Sequence, residues 1–260
     1  MKTLFLLICL SFARTMHTQT LHFILAADTR HPMAEFAESC AMDSFNMAAE
    51  AKEMARGANF NLRFQAVCGP DFSANGLCSA VRSLTPMPDD VILLYISGAA
   101  ECDTNEPLAV QQQRRWIQYG PGRRQLVSTD SLHAILQSKP ARLTILILDA
   151  CSVRRPLPAF IHKRGDAEPK AYRTLLSACG TLRVFSSQPS EYSYGDKAGG
   201  LFTNALLDGL DHFINIGDPN LGWKTLLEYA AETTAMWAKK IWRHQYPVVL
   251  DWDFREKCAP

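Results

Sequence analysis

The sequence predicts an α/β protein of three layers, in which a mainly parallel central sheet is flanked by helices. Continuous apolar runs at residues 21–27, 91–97 and 143–148 are typical of strands buried on both faces. Segments with helical spacing separate these runs, and such alternation favours crossover connections between parallel strands. The chain has 260 residues, 47% of them hydrophobic, which suits one sizeable core.

The first half of the chain alternates strand and helix patterns. The strands are predicted at 21–27, 61–68 and 91–97, and the helices at 43–56 and 73–84. Asp43 is predicted as the N-cap of the first helix and Gly57 as its stop. Residues 99–128 are weakly patterned, charged and rich in Pro and Gly, which predicts a mobile loop beside a site.

The second half continues the pattern. Ser128 to Asp130 can cap a helix that runs to Gln137, and residues 143–148 form the strongest buried strand. The remaining predictions are helices at 172–178, 201–213 and 225–244, and strands at 182–186 and 248–250. Residues 152–170 resemble the first weakly patterned stretch and predict a second mobile loop.

The first residues are typical of a secretion signal. Lys2 precedes the apolar run 3–12, and Ser11 to Ala13 offer a small-residue cleavage site. The run is shorter than the roughly 20 apolar residues that span a bilayer. We expect a signal peptide at 1–19, a domain at 20–260, and a secreted or periplasmic protein. A buried first element and an uncleaved anchor are the alternatives, and no other stretch predicts a transmembrane segment.

Composition excludes some classes of function. Lys and Arg total 27 against 26 Asp and Glu, without the clustered basic excess of nucleic-acid-binding proteins. Eight cysteines are present, of which seven follow the predicted signal. That odd number implies a free thiol, an intermolecular bridge or no bridges. Cys68 and Cys78 are close enough in sequence to pair. Zinc-ligand spacing is lacking, so neither a metal nor a cofactor is predicted.

The carboxyl ends of two strands are the places to look for a site, because ligands of such sheets bind there. The segment after the third strand reads Tyr95-Ile96-Ser97-Gly98-Ala99-Ala100, and the segment after the 143–148 strand reads Asp149-Ala150-Cys151-Ser152. A cysteine at a strand end is a candidate nucleophile. The alternative is a small buried hydrophobe.

These segments resemble the histidine and cysteine motifs of the caspase family (peptidase family C14) and its bacterial and metacaspase relatives. Ala99 occupies the histidine position, 52 residues before Cys151, close to the caspase spacing of about 50. Residues 43–47, 186–203 and 245–248 also resemble family segments. The likeness covers most of residues 20–253 and implies the caspase-like version of the three-layer fold.

The resemblance implies a Cys–His dyad that has lost its histidine. Cys151 would be the nucleophile, and the backbone N–H groups of Ala100 and Cys151 would form the oxyanion hole. Ala99 can neither take nor give a proton, so an inactive or weakly active cysteine peptidase homologue is expected. His31 and His162 are candidates for a displaced base, although each also suits an ordinary surface histidine.

The resemblance also implies how a ligand would be held. Caspases grip an acidic residue with arginines, whose positions are occupied here by Ala37 and Gly195. Asp149 matches metacaspases, which prefer basic residues, so an Arg or Lys side chain is the expected ligand. Glu191 or Asp196 would help, unless both are ordinary loop residues. For Asp149 the alternative is a structural carboxylate that accepts hydrogen bonds from backbone N–H groups at the strand end. Gly98, Ser187 and Tyr194 complete the expected substrate-binding set.

Three hypotheses therefore stand. The chain is a secreted, catalytically impaired caspase-like protein that binds a peptide or protein. Alternatively, it is an active endopeptidase with a displaced base. The third possibility is an unrelated doubly wound binding domain, although no Gly-rich phosphate loop follows the first strand. Caspase relatives often pair through edge strands, so the resemblance allows a homodimer.

Overall fold

The computed structural model describes residues 18–119, 125–154, 169–189, 191–218 and 221–258, and for 151–154, 169 and 252 it describes the backbone. In chain order the elements are β1 (Thr20–Ala27), α1 (Ala34–Ala58), β2 (Asn61–Cys68), a 3₁₀ turn (Gly69–Asp71), α2 (Ala74–Arg82), β3 (Val91–Ser97), β4 (Ala100–Glu101), α3 (Leu108–Gln113), β5 (Trp116–Tyr119), β6 (Gln125–Ser128), α4 (Thr129–Gln137), β7 (Leu143–Asp149), β8 (Cys151–Arg154), α5 (Pro169–Leu176), β9 (Cys179–Phe185), β10 (Ser193–Asp196), β11 (Gly199–Gly200), α6 (Leu201–Ile216), α7 (Trp223–Lys240) and β12 (Val248–Arg255).

The central sheet has six strands in the order β12-β9-β7-β3-β1-β2. All neighbours run parallel except β12, which pairs antiparallel with β9. β1, β3 and β7 are buried along their whole length, as their unbroken apolar runs predict.

Helices cover both faces of this sheet. On one face α1, α5, α6 and α7 pack against alternate strand residues such as Leu93 in the larger core cluster. On the other, α2 and α4 pack against the intervening residues, such as Leu94. This arrangement confirms the predicted three-layer α/β fold with a mainly parallel sheet.

The first helix begins nine residues earlier than predicted. α1 starts at Ala34, directly after an extended Met33, so Asp43 is a buried residue inside the helix and not its N-cap. The helix continues past Gly57 to Ala58, and the left-handed backbone of Asn59 (φ 62°) ends it. Gly57 has a packing role instead, because a Cβ there would collide with the Tyr172 ring of α5.

The predicted mobile loop at 99–128 contains regular structure where it is described. β4, β5 and β6 form a small antiparallel sheet, and α3 lies between β4 and β5. Arg114 bonds both Glu106 and Asp130 at 2.6 Å, which fixes this insertion to α4. The prediction was wrong here because strands of two to four residues are too short to show a period in the sequence.

The second predicted loop contains β8, which joins β10 and β11 in another three-stranded sheet. The remainder of that loop, residues 155–168, and the predicted signal through residue 17 lie outside the described residues. None of the described helices is both long and apolar enough to cross a membrane.

Candidate functional site

The two motif segments leave the sheet side by side. Ser97 at the end of β3 is paired in register with Asp149 at the end of β7, and the Gly98 N–H donates to the Asp149 carbonyl at 3.2 Å. Ala99 and Cys151 each follow this pair by two residues. The Cys151 backbone opens β8 opposite Ser193 of β10. The side chain of Cys151 lies outside the described atoms.

Ala99 is buried, with 6% of its surface exposed. It belongs to a small apolar cluster with Ala27 of β1 and with Phe36 and Cys40 of α1. Its carbonyl accepts a hydrogen bond from the Gln118 N–H at 2.9 Å. The position that resembles the catalytic histidine site is therefore packed with apolar side chains.

The residues flanking Ala99 are also positioned by packing. Gly98 is buried beneath Phe72, and a Cβ on it would lie 3.0 Å from the Phe72 ring. Ala100 is half-buried in β4, where it pairs with Ile117. The backbone proposed as an oxyanion donor is thus held in a short strand beside the sheet end.

Two buried carboxyl groups lie beneath the strand ends. Asp149 Oδ1 accepts from the Ser193 hydroxyl at 3.0 Å, and its Oδ2 accepts from the N–H (3.1 Å) and hydroxyl (2.7 Å) of Thr203. Asp43 Oδ2 accepts from the Ser97 hydroxyl at 2.8 Å, and its Oδ1 accepts from the Gly200 N–H at 2.7 Å. Through these bonds, α1 and the start of α6 are fixed to the ends of β3 and β7.

Two consecutive glycines make this arrangement possible. A Cβ on Gly199 would collide with the Asp43 carboxylate, and one on Gly200 would collide with the Asp149 carboxylate. Gly199 also has φ +105°, a backbone conformation that residues with a side chain rarely adopt. The Gly199-Gly200 backbone therefore passes directly over both carboxyl groups.

Burial raises the pKa of both carboxyl groups. For Asp43 the pKa lies well above its usual range, because burial and the charge of Asp149 outweigh the bonds from Gly200 and Ser97. The pKa of Asp149 is raised by burial and lowered by its hydroxyl and backbone donors. The local sequence around Asp43 indicates a helix cap and a motif match, and it carries no signal for this buried pair.

The three carboxylates expected to bind a basic ligand each accept hydrogen bonds from other groups of the protein. Asp149 is fully buried with Ser193 and Thr203 as donors. Glu191 Oε2 accepts from the Tyr246 N–H at 2.6 Å, and Asp196 Oδ1 accepts from the Ala198 N–H at 2.7 Å. Glu191 and Asp196 therefore stabilise their loops.

The other expected substrate residues lie together beside the strand ends. Gln245 links the segments that carry Ser187 and Tyr194. Its Oε1 accepts from the Tyr194 N–H at 2.9 Å, and its Nε2 donates to the carbonyl of Ser186 at 2.9 Å. The Ser187 hydroxyl donates to the Glu191 carbonyl at 3.3 Å. The structure also pairs Gly195 with Gly200, while half-buried Ala37 lies on α1.

His31, a candidate displaced base, lies near the apolar cluster that contains Ala99. Its ring centroid is 4.3 Å from that of Phe36, which packs in the same cluster as Ala99. The Met33 N–H donates to His31 Nδ1 at 3.2 Å, so the neutral ring carries its proton on Nε2. His162 lies outside the described residues. The described residues contain no metal-binding group of three or more His, Cys, Asp or Glu side chains.

Comparison with known proteins identifies a fold but no family. No family model and no curated protein matches the sequence. Among solved structures, the crystal structure of protein GSU0716 from Geobacter sulfurreducens is similar, with a TM-score of 0.53 and 15% identity. The match covers 93% of this chain and 94% of that one. At this identity the likeness supports a shared α/β fold alone.

Proposed function

We propose that this chain is a caspase-like cysteine peptidase homologue that is inactive or weakly active. We also propose that it binds a peptide or protein in the former substrate cleft, at the carboxyl ends of β3 and β7. The observation that carries the proposal is the pairing of Ser97 with Asp149, which sends the segments of Ala99 and Cys151 out of the sheet side by side. The apolar packing around Ala99 supports the loss of catalysis.

The chemistry follows from what a dyad requires. A thiolate attacks an amide carbonyl, and the amine leaves readily once a general acid protonates it. A methyl group at Ala99 cannot supply that proton. General acid–base catalysis contributes roughly 10²–10⁴-fold, and a catalytic unit that loses a member often loses more. Amide cleavage by Cys151 is therefore expected to be slow or absent.

The proposed ligand is a peptide or protein that presents an Arg or Lys side chain toward Asp149. Asp149 is fully buried beneath the Gly199-Gly200 backbone, so an Arg side chain could pair with its carboxylate only if this backbone moved aside. Because Ser193 and Thr203 already donate to Asp149, a basic ligand must replace some of these bonds as it enters. We expect weak binding by short peptides and tighter binding by a partner that contacts more of the cleft.

A second candidate function is a peptidase that uses His31 as a displaced base. Asp28, at the end of β1, donates its N–H to the Ser97 carbonyl at 3.0 Å, so this turn lies against the end of β3. Burial raises the pKa of Asp28 against the opposing effect of the nearby His31, and His31 packs on Phe36. A carboxylate beside a histidine is the usual way to orient a catalytic imidazole.

The deciding experiment measures turnover of fluorogenic peptides ending in Arg or Lys by the full chain, with Asp-ending peptides as the specificity control. We expect no turnover that depends on Cys151. Turnover that disappears in Cys151→Ala would contradict the impaired-enzyme proposal, and its disappearance in His31→Gln would support the second candidate.

A gain-of-function test complements this assay. Ala99→His restores an imidazole, and Ala99→His combined with Phe36→Ala also provides space for it in the apolar cluster. Cys151-dependent turnover in either variant would support the proposed family and site. If neither variant turns over peptide nor binds Arg-containing peptides, a doubly wound binding domain unrelated to peptidases becomes the better account.

A further inference from the structure

The segment that follows β12 contacts the start of α7 and the residues just before β9. Arg255, the last residue of β12, lies opposite Cys179, the first residue of β9. Glu256 then accepts hydrogen bonds from the N–H groups of Trp223 (3.0 Å) and Lys224 (2.7 Å). Its carboxylate thereby caps the start of α7, where a negative charge is favourable.

This path brings Cys258 to the start of β9. The Cys258 thiol donates to the Ser177 carbonyl at 3.5 Å, two residues before Cys179. The Cys258 side chain is also close enough to Cys179 to raise the pKa of the Cys179 thiol. Both are free in this structure, Cys179 buried and Cys258 half-buried.

We propose that Cys179 and Cys258 form a disulfide that ties the segment after β12 to the edge of the central sheet. Two contacts place them together: the Arg255–Cys179 strand pair and the hydrogen bond from Cys258 to the Ser177 carbonyl. Cys68 and Cys78, whose spacing in the sequence allowed a pairing, are also free thiols, and the Cys68 thiol donates instead to the Leu25 carbonyl at 4.0 Å.

The disulfide forms by thiol–disulfide exchange with a small-molecule disulfide such as oxidised glutathione. The half-buried Cys258 thiolate attacks one sulfur of the reagent, which gives a mixed disulfide and releases one thiolate. The Cys179 thiolate then attacks Cys258 Sγ, forming the protein S–S bond and expelling the second thiolate. The reagent takes up two electrons, and the two cysteine protons pass to solvent or to the released thiolates.

The surroundings of Cys179 affect the second step. Burial raises the pKa of Cys179, and the Cys258 thiol raises it further, while the Arg255 guanidinium lowers it. Exchange is therefore expected to accelerate with rising pH, since the thiolate is the attacking species. The closed loop would run from β9 to the segment after β12, and it would hold Glu256 at the start of α7.

The test treats the full chain with oxidised glutathione at pH 8 and compares it with a dithiothreitol-treated sample. We expect a mass loss of two hydrogens, a non-reduced peptide joining Cys179 to Cys258, and a melting temperature about 5–10 °C above that of the reduced protein. Cys258→Ser and Cys179→Ser should each abolish the rise, while the matched control Cys78→Ser keeps it.

Two results would overturn the proposal. One is a glutathione adduct on Cys258 that persists without closing onto Cys179, and the other is a cross-linked peptide that joins different cysteines. Cys258→Ala provides a second variant if Cys258→Ser folds poorly. These readouts are independent of peptidase activity and of ligand binding, so they stand apart from the proposed function.

Discussion

Replacing Asp43 by Asn tests the buried carboxyl pair with little change of shape. The Asn Oδ1 can still accept from the Gly200 N–H, which lies 2.7 Å from the Asp43 oxygen. The Asn amide can donate to the Ser97 hydroxyl, which lies 2.8 Å from the other oxygen. The substitution therefore removes a titrating group while keeping both hydrogen bonds.

The size of the effect follows from proton linkage. Burial and the charge of Asp149 raise the pKa of Asp43 above its unfolded value of about 3.9. The folded protein thus retains a proton that the unfolded chain releases. This stabilisation is full below the unfolded pKa and is lost as pH rises through the folded pKa. One proton contributes a slope of at most about 1.4 kcal/mol per pH unit.

The assay is urea unfolding at intervals between pH 4.5 and 8 in the presence of a reductant. The free energy of unfolding of Asp43→Asn should rise relative to the unsubstituted protein as pH increases, by up to about 1.4 kcal/mol per unit. Asp89→Asn, at an exposed carboxylate, serves as the matched control and should show no such trend. Parallel pH profiles for Asp43→Asn and the unsubstituted protein would refute the reasoning.

Three further predictions concern contacts away from that pair. Glu256→Gln should lower the free energy of unfolding by about 0.5–2 kcal/mol, because it removes the charged cap of α7. Glu228→Gln, at an exposed position, is the control and should change that free energy little; urea unfolding measures both. Thr203→Val should cost about 1–3 kcal/mol in the same assay because a buried carboxylate loses a donor, with Thr234→Val, whose hydroxyl bonds within its own helix, costing less. Burial lowers the pKa of His133 to about 4, below its unfolded value of about 6.5, so stability is full above pH 6.5 and falls toward pH 4. His133→Gln should remove that fall, and equal acid destabilisation of both proteins would argue against it.

The central sheet was accessible to sequence reasoning because its strands are long and apolar. β2 and β3 span the predicted residues, and α4 has the predicted Ser128 cap, whose hydroxyl accepts from the Ser131 N–H. Buried parallel strands need apolar side chains on both faces, which leaves an unbroken run in the sequence. The fold class follows from that pattern alone.

The features that sequence reasoning missed depend on contacts across the fold. The Asp43–Asp149 pair joins residues 106 positions apart, and only the packing of α1 against the strand ends reveals it. β4 to β6 are too short to show a period. The apolar packing around Ala99 depends on Phe36 and Cys40, which approach it from α1. No local pattern encodes these contacts.

The central claim is that Cys151 has lost its histidine partner, and the pH dependence of its alkylation tests this most directly. The rate of iodoacetamide modification of Cys151, followed by mass spectrometry between pH 5 and 10, reports its thiolate fraction. We predict that the alkylation rate rises with a midpoint at about pH 8.5 or above, as for an unassisted thiol, and that this midpoint is unchanged in His31→Gln. A midpoint below about 7 that rises in His31→Gln would contradict the account, because it would show an imidazole activating the thiol.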